Sequence, residues 1–546
     1  MRHFINLEMD NRGIVCVQQN LHKSMTATHV LNQWMEKNKT KLQVAFLHEP
    51  YMNSKKNVGG IPRQYTVYQG KYNTKVRSCI AISKKMNSWA MSQYSNEDIT
   101  TIGIKSHDKI IILCSLYCPY VPGNRDLPPH NIIVKLTNKC KEEGWGLIIA
   151  ADSNSHNEVW GSTKTNRRGE AFELFINANH LNILNEGNFP TFEIEGREQV
   201  IDITLCNQKM VNLVHNWHVS RGVTMSDHNR INFQICQPVN INNILFRNLK
   251  NARWDGYNKD LKKGLENFDY TLDYDEGVIA LENIVLSALY RNCRVQQIST
   301  KEKPADWWTD TLGDIKKQVN KLNNKRRWCR TRENSRNYWA LRDEYKDLME
   351  KCSDKNFKTW TLELDDLDLI ARIQRVQRLG RKQEIGTIKD KDGNYTNTPK
   401  ETLFVMLDAH FPKRDVENEV PLLDLGVQED QPDLVDKIVT EQAIRASFNS
   451  FKPHKSPGTD NIAPILIQKG IDHLVKPLAH LYKKSLTKEK CPKRWLESRA
   501  TFIPKVGKPD YEDPKAYRGI NLSSFLLKGL ERLISWQIQK TQNYPD

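Results

Sequence analysis

From Phe4 to about Cys236 the chain sets short apolar runs between turn residues: VAFLHEP (44–50), SCIAISKK (78–85), IIILCSLYCPY (110–120), GLIIAADSN (146–154), QVIDITLCN (199–207) and INFQICQ (231–237). Runs of this length bounded by polar residues predict strands of buried sheets. Between them, Met25–Lys37 and Gly169–His180 space their apolar residues as helices do. The mixture predicts a layered α/β sandwich. Beyond about Pro238 strand-like runs fade. The stretch Asp314–Lys351 is helical and basic, carrying Lys316, Lys317, Lys321, Lys325, Arg326, Arg327, Arg330, Arg332 and Arg336 with Trp328, Tyr338 and Trp339 interleaved. Such a segment either follows a phosphate backbone with aromatic stacking or is a solvated helix that packs through its rings. From about Thr440 a helix (EQAIRASFNSF) leads through the turn KPHKSPGTD to a second helix around LVKPLAHLYKKSL.

Charge sharpens this picture. The 546 residues hold 81 Lys+Arg against 65 Asp+Glu, a formal net charge of +16, and the mean hydropathy is −0.65. The length predicts several domains, and the basic balance predicts a polyanionic partner. The longest apolar stretch, Ile110–Cys118, is about half the roughly 18 residues that cross a bilayer, so no membrane association is expected. Eleven Cys without a Cys-x-x-Cys pair predict a reducing intracellular compartment and no zinc site; Cys114 and Cys118 read as strand thiols.

Polar, metal-competent residues stand at the ends of the apparent strands, in the order Asn20, Glu49, Tyr117, Asp152 with Asn154, Asp202, then Asp227 with His228. Strand ends are where a sandwich presents its loops. His48-Glu49-Pro50 lacks the second His of a zinc-protease motif, and His156 reads as a loop residue or a DNA contact.

The segments QQNLHKSMTAT, FLHEPYMNSKKNVGG, YCPYVPG, AADSNSHNEVWGS, NRRGEAFELF, VIDITL and SDHNRINF together resemble the apurinic-endonuclease-like domain of the endonuclease/exonuclease/phosphatase family, as found in non-LTR (LINE-like) retrotransposon polyproteins. The resemblance implies a four-layer α/β (α+β) sandwich over residues 1–236. It implies Mg²⁺, with Mn²⁺ as a substitute, held by Asn20, Glu49 and Asp227. Asp152 would orient and deprotonate the attacking water, and Asn154 would hold the water or the phosphate. His228, oriented by Asp202, would donate to a phosphoryl oxygen, and Tyr117 would stabilise the developing charge. Two departures are Ala151-Asp152-Ser153-Asn154 for the usual Gly-Asp-Phe-Asn, and Gln199-Val200 for the Ser or Thr often found before Ile-Asp.

Farther on, KSPGTDNI and WLESRATFIPKVGKPDYEDPKAYRGINLSSFLLKGLERLI resemble the fingers of a non-LTR reverse transcriptase. In that family the counterparts of Lys505 and Arg518 approach the incoming triphosphate; Gly519 stands where Pro is usual. The resemblance implies a mainly helical connector over 237–430 and an incomplete reverse-transcriptase segment over 431–546. No Tyr-x-Asp-Asp follows, and Asp365-Asp366 reads as an acidic helix face, so the polymerase part is expected to be truncated and inactive. The resulting expectation is a Mg²⁺-dependent endonuclease that nicks target DNA to leave a 3′-hydroxyl, with target DNA and element RNA as partners in the nucleus. A nuclease-dead nucleic-acid-binding remnant and a phosphatase of the same fold are the alternatives.

Overall fold

A computed structural model of the chain describes residues 2–10, 13–39, 41–54, 56–70, 75–106, 109–120, 131–237, 239–297, 307–362, 371, 385–412, 432–505, 508 and 510–541. After β1 (Arg2–Asp10), one six-stranded sheet runs in the order β14 (Val214–Val219), β15 (Ile231–Ile235), β2 (Ile14–Asn20), β3 (Leu42–His48), β5 (Ser78–Ser83), β4 (Tyr65–Gln69). A second runs β10 (Leu181–Ile183), β13 (Asp202–Asn207), β9 (Gly146–Asp152), β8 (Lys109–Tyr117), β7 (Ile99–Ser106), β6 (Ser88–Ala90). The two sheets face each other across a core that includes Ile14, Val44, Ile80, Leu113 and Ile148, with Phe46 stacked on Phe233 at 6.0 Å.

Helices close both outer faces. The first sheet carries α1 (Met25–Lys37), whose Leu31 and Met35 pack with Val17 and Leu47. The second carries α2 (Asn131–Glu142) and α3 (Arg167–Ala178), whose Ile133, Leu136, Phe172 and Ile176 pack with Ile112, Ile149 and Ile203. In β9, Ile148 and Ala150 point between the sheets while Leu147, Ile149 and Ala151 point to the helices. A strand covered on both faces reads as an unbroken apolar run rather than an alternating one, which explains why GLIIAAD stood out. Layered helix, sheet, sheet, helix, this is the sandwich expected from the sequence. The helix expected over 25–37 occupies those residues, its N-terminus capped by the Ser24 hydroxyl, which accepts from the Ala27 N–H at 3.1 Å.

The chain forms two compact units, residues 6–243 with 299–405, and residues 1–5 with 244–298 and 406–546. The second is mainly helical. Its core joins α4 (Trp254–Leu265) and α5 (Tyr274–Asn292) to the helices Glu441–Asn449, Pro464–Thr487 and Phe525–Thr541, through residues including Tyr257, Leu289, Phe448, Leu478, Tyr482, Trp495 and Leu530. The helix expected around LVKPLAHLYKKSL begins ten residues earlier, at Pro464, and passes through Pro477. Pro477, Leu474 and Leu478 are all buried, so packing holds the helix across a residue that removes a backbone donor. Two further strands, β16 (Val239–Arg247) and β17 (Val295–Gln297), pair from Leu245 to Arg247.

The expected connector over 237–430 does not stand as a separate body. Its basic stretch is a hairpin of α6 (Asp310–Trp328) and α7 (Arg332–Leu362), broken at residues 329–331. The hairpin packs on the sandwich: Leu312, Val319, Tyr338, Trp339, Tyr345 and Met349 form one cluster with Val30 and Met225. Residues 387–397 also dock there, the Thr387 N–H donating to the Ala90 carbonyl (2.9 Å) and the Trp89 indole to the Asn397 carbonyl (3.2 Å). A boundary at 236 therefore cuts through this unit. Asp365 and Asp366 lie outside the described residues. Among the described residues no helix is long and apolar enough to cross a membrane.

Candidate active site

Parallel pairing brings the chemistry-bearing strand ends together. β2 runs parallel to β3 and β8 parallel to β9. Asn20, His48, Tyr117 and Asp152 are the last residues of these four strands, and the carboxyl ends of parallel strands are where open α/β sheets bind ligands. β13 comes in antiparallel, so its first residue, Asp202, lies opposite Asp152. The Thr191 hydroxyl fixes that strand start by accepting from the backbone N–H groups of Ile201 and Asp202, each at 3.0 Å.

A chain of buried side-chain contacts spans the two sheets. The Asn20 amide donates to Asp152 Oδ2 at 2.7 Å. The His228 ring places Nε2 3.9 Å from the same oxygen and Nδ1 2.7 Å from Asp202 Oδ2. Asn20, Asp152, Asp202 and His228 are all buried. The loop bearing His228 is anchored by the Ser226 hydroxyl, which donates to the Asn20 carbonyl at 2.8 Å, and by the Phe192 ring, edge-on to the imidazole at 5.2 Å.

Burial sets the proton affinities. It raises Asp152 well above the ordinary carboxyl value, with the Asp202 carboxylate adding to the effect and His228 and Asn20 opposing it. Burial alone would neutralise His228, but the carboxylates of Asp202 and Asp152 outweigh it and hold the ring protonated. Tyr117 is pushed up by burial and by the charges of Glu49 and Asp152, so its phenol keeps its proton. The Arg77 guanidinium sits 5.5 Å from the Tyr117 ring centroid and is held by Asp98.

Glu49 and Asp227 form the rim. Glu49 has a left-handed backbone (φ 42°) and pairs with Lys23 at 2.8 Å; a non-glycine residue held there costs about 1–3 kcal/mol, as functional loops often do. Asp227 accepts from the Ser226 hydroxyl at 3.1 Å and faces His22 Nδ1 at 3.1 Å. Burial opposes its ionisation, but the His22 bond and the His228 charge bring it down to about 2. Asn154, also left-handed (φ 46°), donates its backbone N–H to Asp152 Oδ1 at 3.3 Å and its side-chain amide to the Cys118 carbonyl at 3.2 Å.

The structure thus brings the eight expected residues into one region, though not as one ligand set. Asn20, Asp152, Asp202 and His228 interlock, while Glu49 and Asp227 each engage a neighbouring cation. One group with metal-ligand chemistry among the described residues is His48, Asp152 and Asp202, whose ligand atoms lie within 4.8 Å of one another. By its sequence context His48 is set aside as no part of a zinc motif. Burial brings its ring down to about 4, and Nε2 is 3.1 Å from the Ala150 carbonyl, so it is a neutral core imidazole. Asp202 Oδ1 is buried without a hydrogen-bond partner among the described residues. An orphaned carboxylate oxygen grouped with the Asp152 carboxylate suits a hard divalent cation.

Further supporting residues were not legible one by one. Arg168 threads under the site, donating to the carbonyls of Asn154 (3.2 Å) and Pro119 (3.3 Å). The adjacent Gly169 lets α3 approach: a Cβ there would lie 1.8 Å from the His156 carbonyl oxygen. His156 is half-buried in the loop after β9, its N–H bonded to the Asn166 side chain at 3.2 Å. The segment NRRGEAFELF holds these residues, but nothing local marks their role. Cys114 and Cys118 are buried thiols raised chiefly by desolvation.

Residues 111–232 match the endonuclease-reverse transcriptase family model. That stretch includes Tyr117, Asp152, Asn154, Asp202, Asp227 and His228. The chain is also 30% identical over 152 residues to the "Probable RNA-directed DNA polymerase from transposon BS" of Drosophila melanogaster, an alignment covering 28% of this chain and 16% of that protein. Among solved structures it is similar to the "Endonuclease domain of TRAS1, a telomere-specific non-LTR retrotransposon" (26% identity, 41% of this chain and 98% of that one, TM-score 0.35). It is also similar to the AP endonuclease LMAP from Leishmania major (12% identity, 41% and 89%, TM-score 0.33).

In the helical unit, Lys505 and Arg518 share one hairpin. β18 (Arg499–Pro504) pairs antiparallel with β19 (Tyr517–Leu522), Ile503 opposite Arg518 and Phe502 opposite Gly519. Lys505 Nζ donates to the Lys515 carbonyl at 2.7 Å, and Arg518 is exposed. Gly519 lies under His410 and Phe411, where a Cβ would come within 3.2 Å of each; that close approach accounts for a small residue there.

Proposed function

We propose that the protein is a divalent-metal-dependent DNA endonuclease of a non-LTR retrotransposon, nicking one strand of target DNA so that the 3′-hydroxyl primes reverse transcription of element RNA. Asn20, Asp152, His228 and Asp202, linked in one buried chain at the sandwich's loop edge, carry this reading. A nucleic-acid-binding remnant would have no use for two buried carboxylates and a charged imidazole held 2.7 Å from one of them; such groups are costly to bury unless paired and used.

In the proposed reaction water attacks the phosphorus in line with the P–O3′ bond. Asp152, its proton affinity raised by burial, takes the water proton near neutral pH. Asn154 positions the water or the phosphate. His228, kept protonated and oriented by Asp202, donates from Nε2 to a phosphoryl oxygen, and the Tyr117 phenol donates from the side of Arg77. The P–O3′ bond breaks, the 3′-oxygen takes a proton from solvent and Asp152 returns its proton to solvent, leaving a 3′-hydroxyl and a 5′-phosphate. Glu49 and Asp227, with Asn20, would hold Mg²⁺ or Mn²⁺, which when bound offsets charge developing on the phosphoryl oxygens. The hairpin bearing Lys505 and Arg518 would approach a nucleotide triphosphate as part of a polymerase, and the site of action would be the nucleus.

The test is incubation with supercoiled plasmid. Relaxed circles should accumulate with Mg²⁺, stop with chelator, and be extended from the nick by an added DNA polymerase. Equal nicking in both tubes would sink the metal requirement, and nicks that no polymerase extends would sink the 3′-hydroxyl.

A further inference from the structure

The α6–α7 corner lies outside the family-model match, yet it is clamped to the loop that bears His228. Arg326 is buried against Glu193 (2.5 Å) and lies over the Tyr338 ring at 4.1 Å. Arg327 lies over the Phe189 ring at 4.7 Å and reaches Glu193 at 3.4 Å and Asn229 Oδ1 at 3.5 Å. Arg342 donates to the Ser226 carbonyl at 3.1 Å, and the Glu193 N–H to the Asp227 carbonyl at 2.7 Å. The corner is therefore fixed beside Asp227 and His228 through direct contacts.

On this fixed corner one large ring is left in solvent. Trp328 is 84% exposed, and among the described residues no other tryptophan is in the exposed class. Tyr338 and Trp339, interleaved in the same basic stretch, are 4% and 9% exposed, so packing explains them and not Trp328. Near it in the chain Lys325, Arg330, Arg332 and Arg336 are exposed, and between 325 and 336 Glu333 is the one acidic residue. Trp328 and Arg330 line a pocket with Arg221, Pro190 and the acidic residues Glu193 and Glu198. Glu193 is neutralised by its two arginines, and Glu198 lies 3.7 Å from Arg330.

We propose that this corner is a DNA-contact surface of the nuclease, with Trp328 stacking on a base or deoxyribose of the duplex beside the scissile phosphate and Arg330 pairing with its backbone. The inference rests on the endonuclease reading for its substrate. Charge complementarity selects the occupant: an exposed ring in a pocket with Arg221, Arg327 and Arg330, its acidic residues Glu193 and Glu198 already paired with arginines, suits a polyanion with stacking faces, not an apolar protein surface. The contact would place binding energy outside the residues that do the chemistry, so it would act on substrate affinity and leave turnover alone.

The test uses the full chain. Affinity for a fluorescein-labelled DNA duplex is measured by anisotropy in chelator across a salt series, and plasmid nicking is measured with Mg²⁺. Trp328→Ala should weaken duplex binding about tenfold, with Trp328→Phe restoring most of it, and should raise KM with kcat held. Arg330→Gln should lower the salt slope by about one. Thermal melting checks that the variants stay folded, as expected for exposed side chains. Unchanged affinity and KM in both variants would overturn the proposal, as would an equal or larger loss on an RNA hairpin than on the DNA duplex. If the wild-type chain nicks nothing but the Trp328 effect on duplex binding holds, the surface stands and the nuclease reading falls.

Discussion

Glu193→Gln removes the counter-charge of the buried Arg326 and tests whether α6 belongs to the folded nuclease. Glu193 and Arg326 are 7% and 8% exposed and 2.5 Å apart. Removing one partner of a buried pair costs about 3–5 kcal/mol, because the other charge is left without compensation. Arg326 would keep its bonds to Asn323 Oδ1 at 3.0 and 3.1 Å and its seat on Tyr338, which points to the lower end, about 3 kcal/mol. At roughly 2–4 °C per kcal/mol for a large domain, the melting temperature should fall by roughly 6–12 °C at pH 7. The acid dependence has a definite sign. Burial opposes ionisation of Glu193, but the Arg326 hydrogen bond and the charges of Arg326 and Arg327 outweigh it, so the folded value is depressed. Its stabilisation is therefore full above the unfolded value of about 4.3 and is lost as pH falls through the lower folded value. The gap between wild type and variant should be wide at pH 7 and close in acid. Differential scanning calorimetry at both pH values reads it. A shift below about 1 °C at pH 7, or a gap that does not change with pH, would refute the buried-pair argument.

The same packing predicts that a fragment ending at residue 236 melts lower and nicks more slowly than one spanning 6–405, since it exposes Val30 and Met225 and strips Glu193 of its arginines; equal melting and activity would mean the helices are only appended. His228→Ala should lower kcat about 10²–10³-fold with DNA affinity nearly unchanged, because its hydrogen bond strengthens in the transition state; full-speed nicking would remove His228 from the mechanism. On a primed RNA template these 546 residues by themselves should extend nothing, and template-dependent synthesis by a preparation free of other polymerases would contradict the reading of Lys505 and Arg518 as an isolated part of a nucleotide site.

Much of the sandwich was legible because its strands are covered on both faces. Burial on two sides forces runs such as GLIIAAD and IIILCSLY to be largely apolar, and the last strand residue of each run is Asp152 or Tyr117. The strand Ile14–Asn20 was missed as an element although its last residue was singled out, for Gln18 and Gln19 interrupt the run. Gln18 is buried all the same, its amide donating to the Ala151 carbonyl at 3.0 Å, a cross-sheet bond that no local pattern encodes.

The sequence by itself determined which residue types reach the edge of the sandwich, since strand ends and turn chemistry are local. Tertiary structure alone decided their partnerships. Asn20 meets Asp152 from 132 residues away, and Asp202 meets His228 across 26. The basic stretch shows the limit most plainly: a solvated helix and a packed one carry the same run of charges. Only docking decided that Arg326 is buried on Glu193, that Tyr338 and Trp339 fill a core with Met225, and that Trp328, ten residues from Tyr338, is left facing water. Burying a cation is favourable only where a counter-charge waits, and here that counter-charge lies 133 residues back along the chain, in β11 (Phe192–Ile194), paired with β12 (Arg197–Gln199).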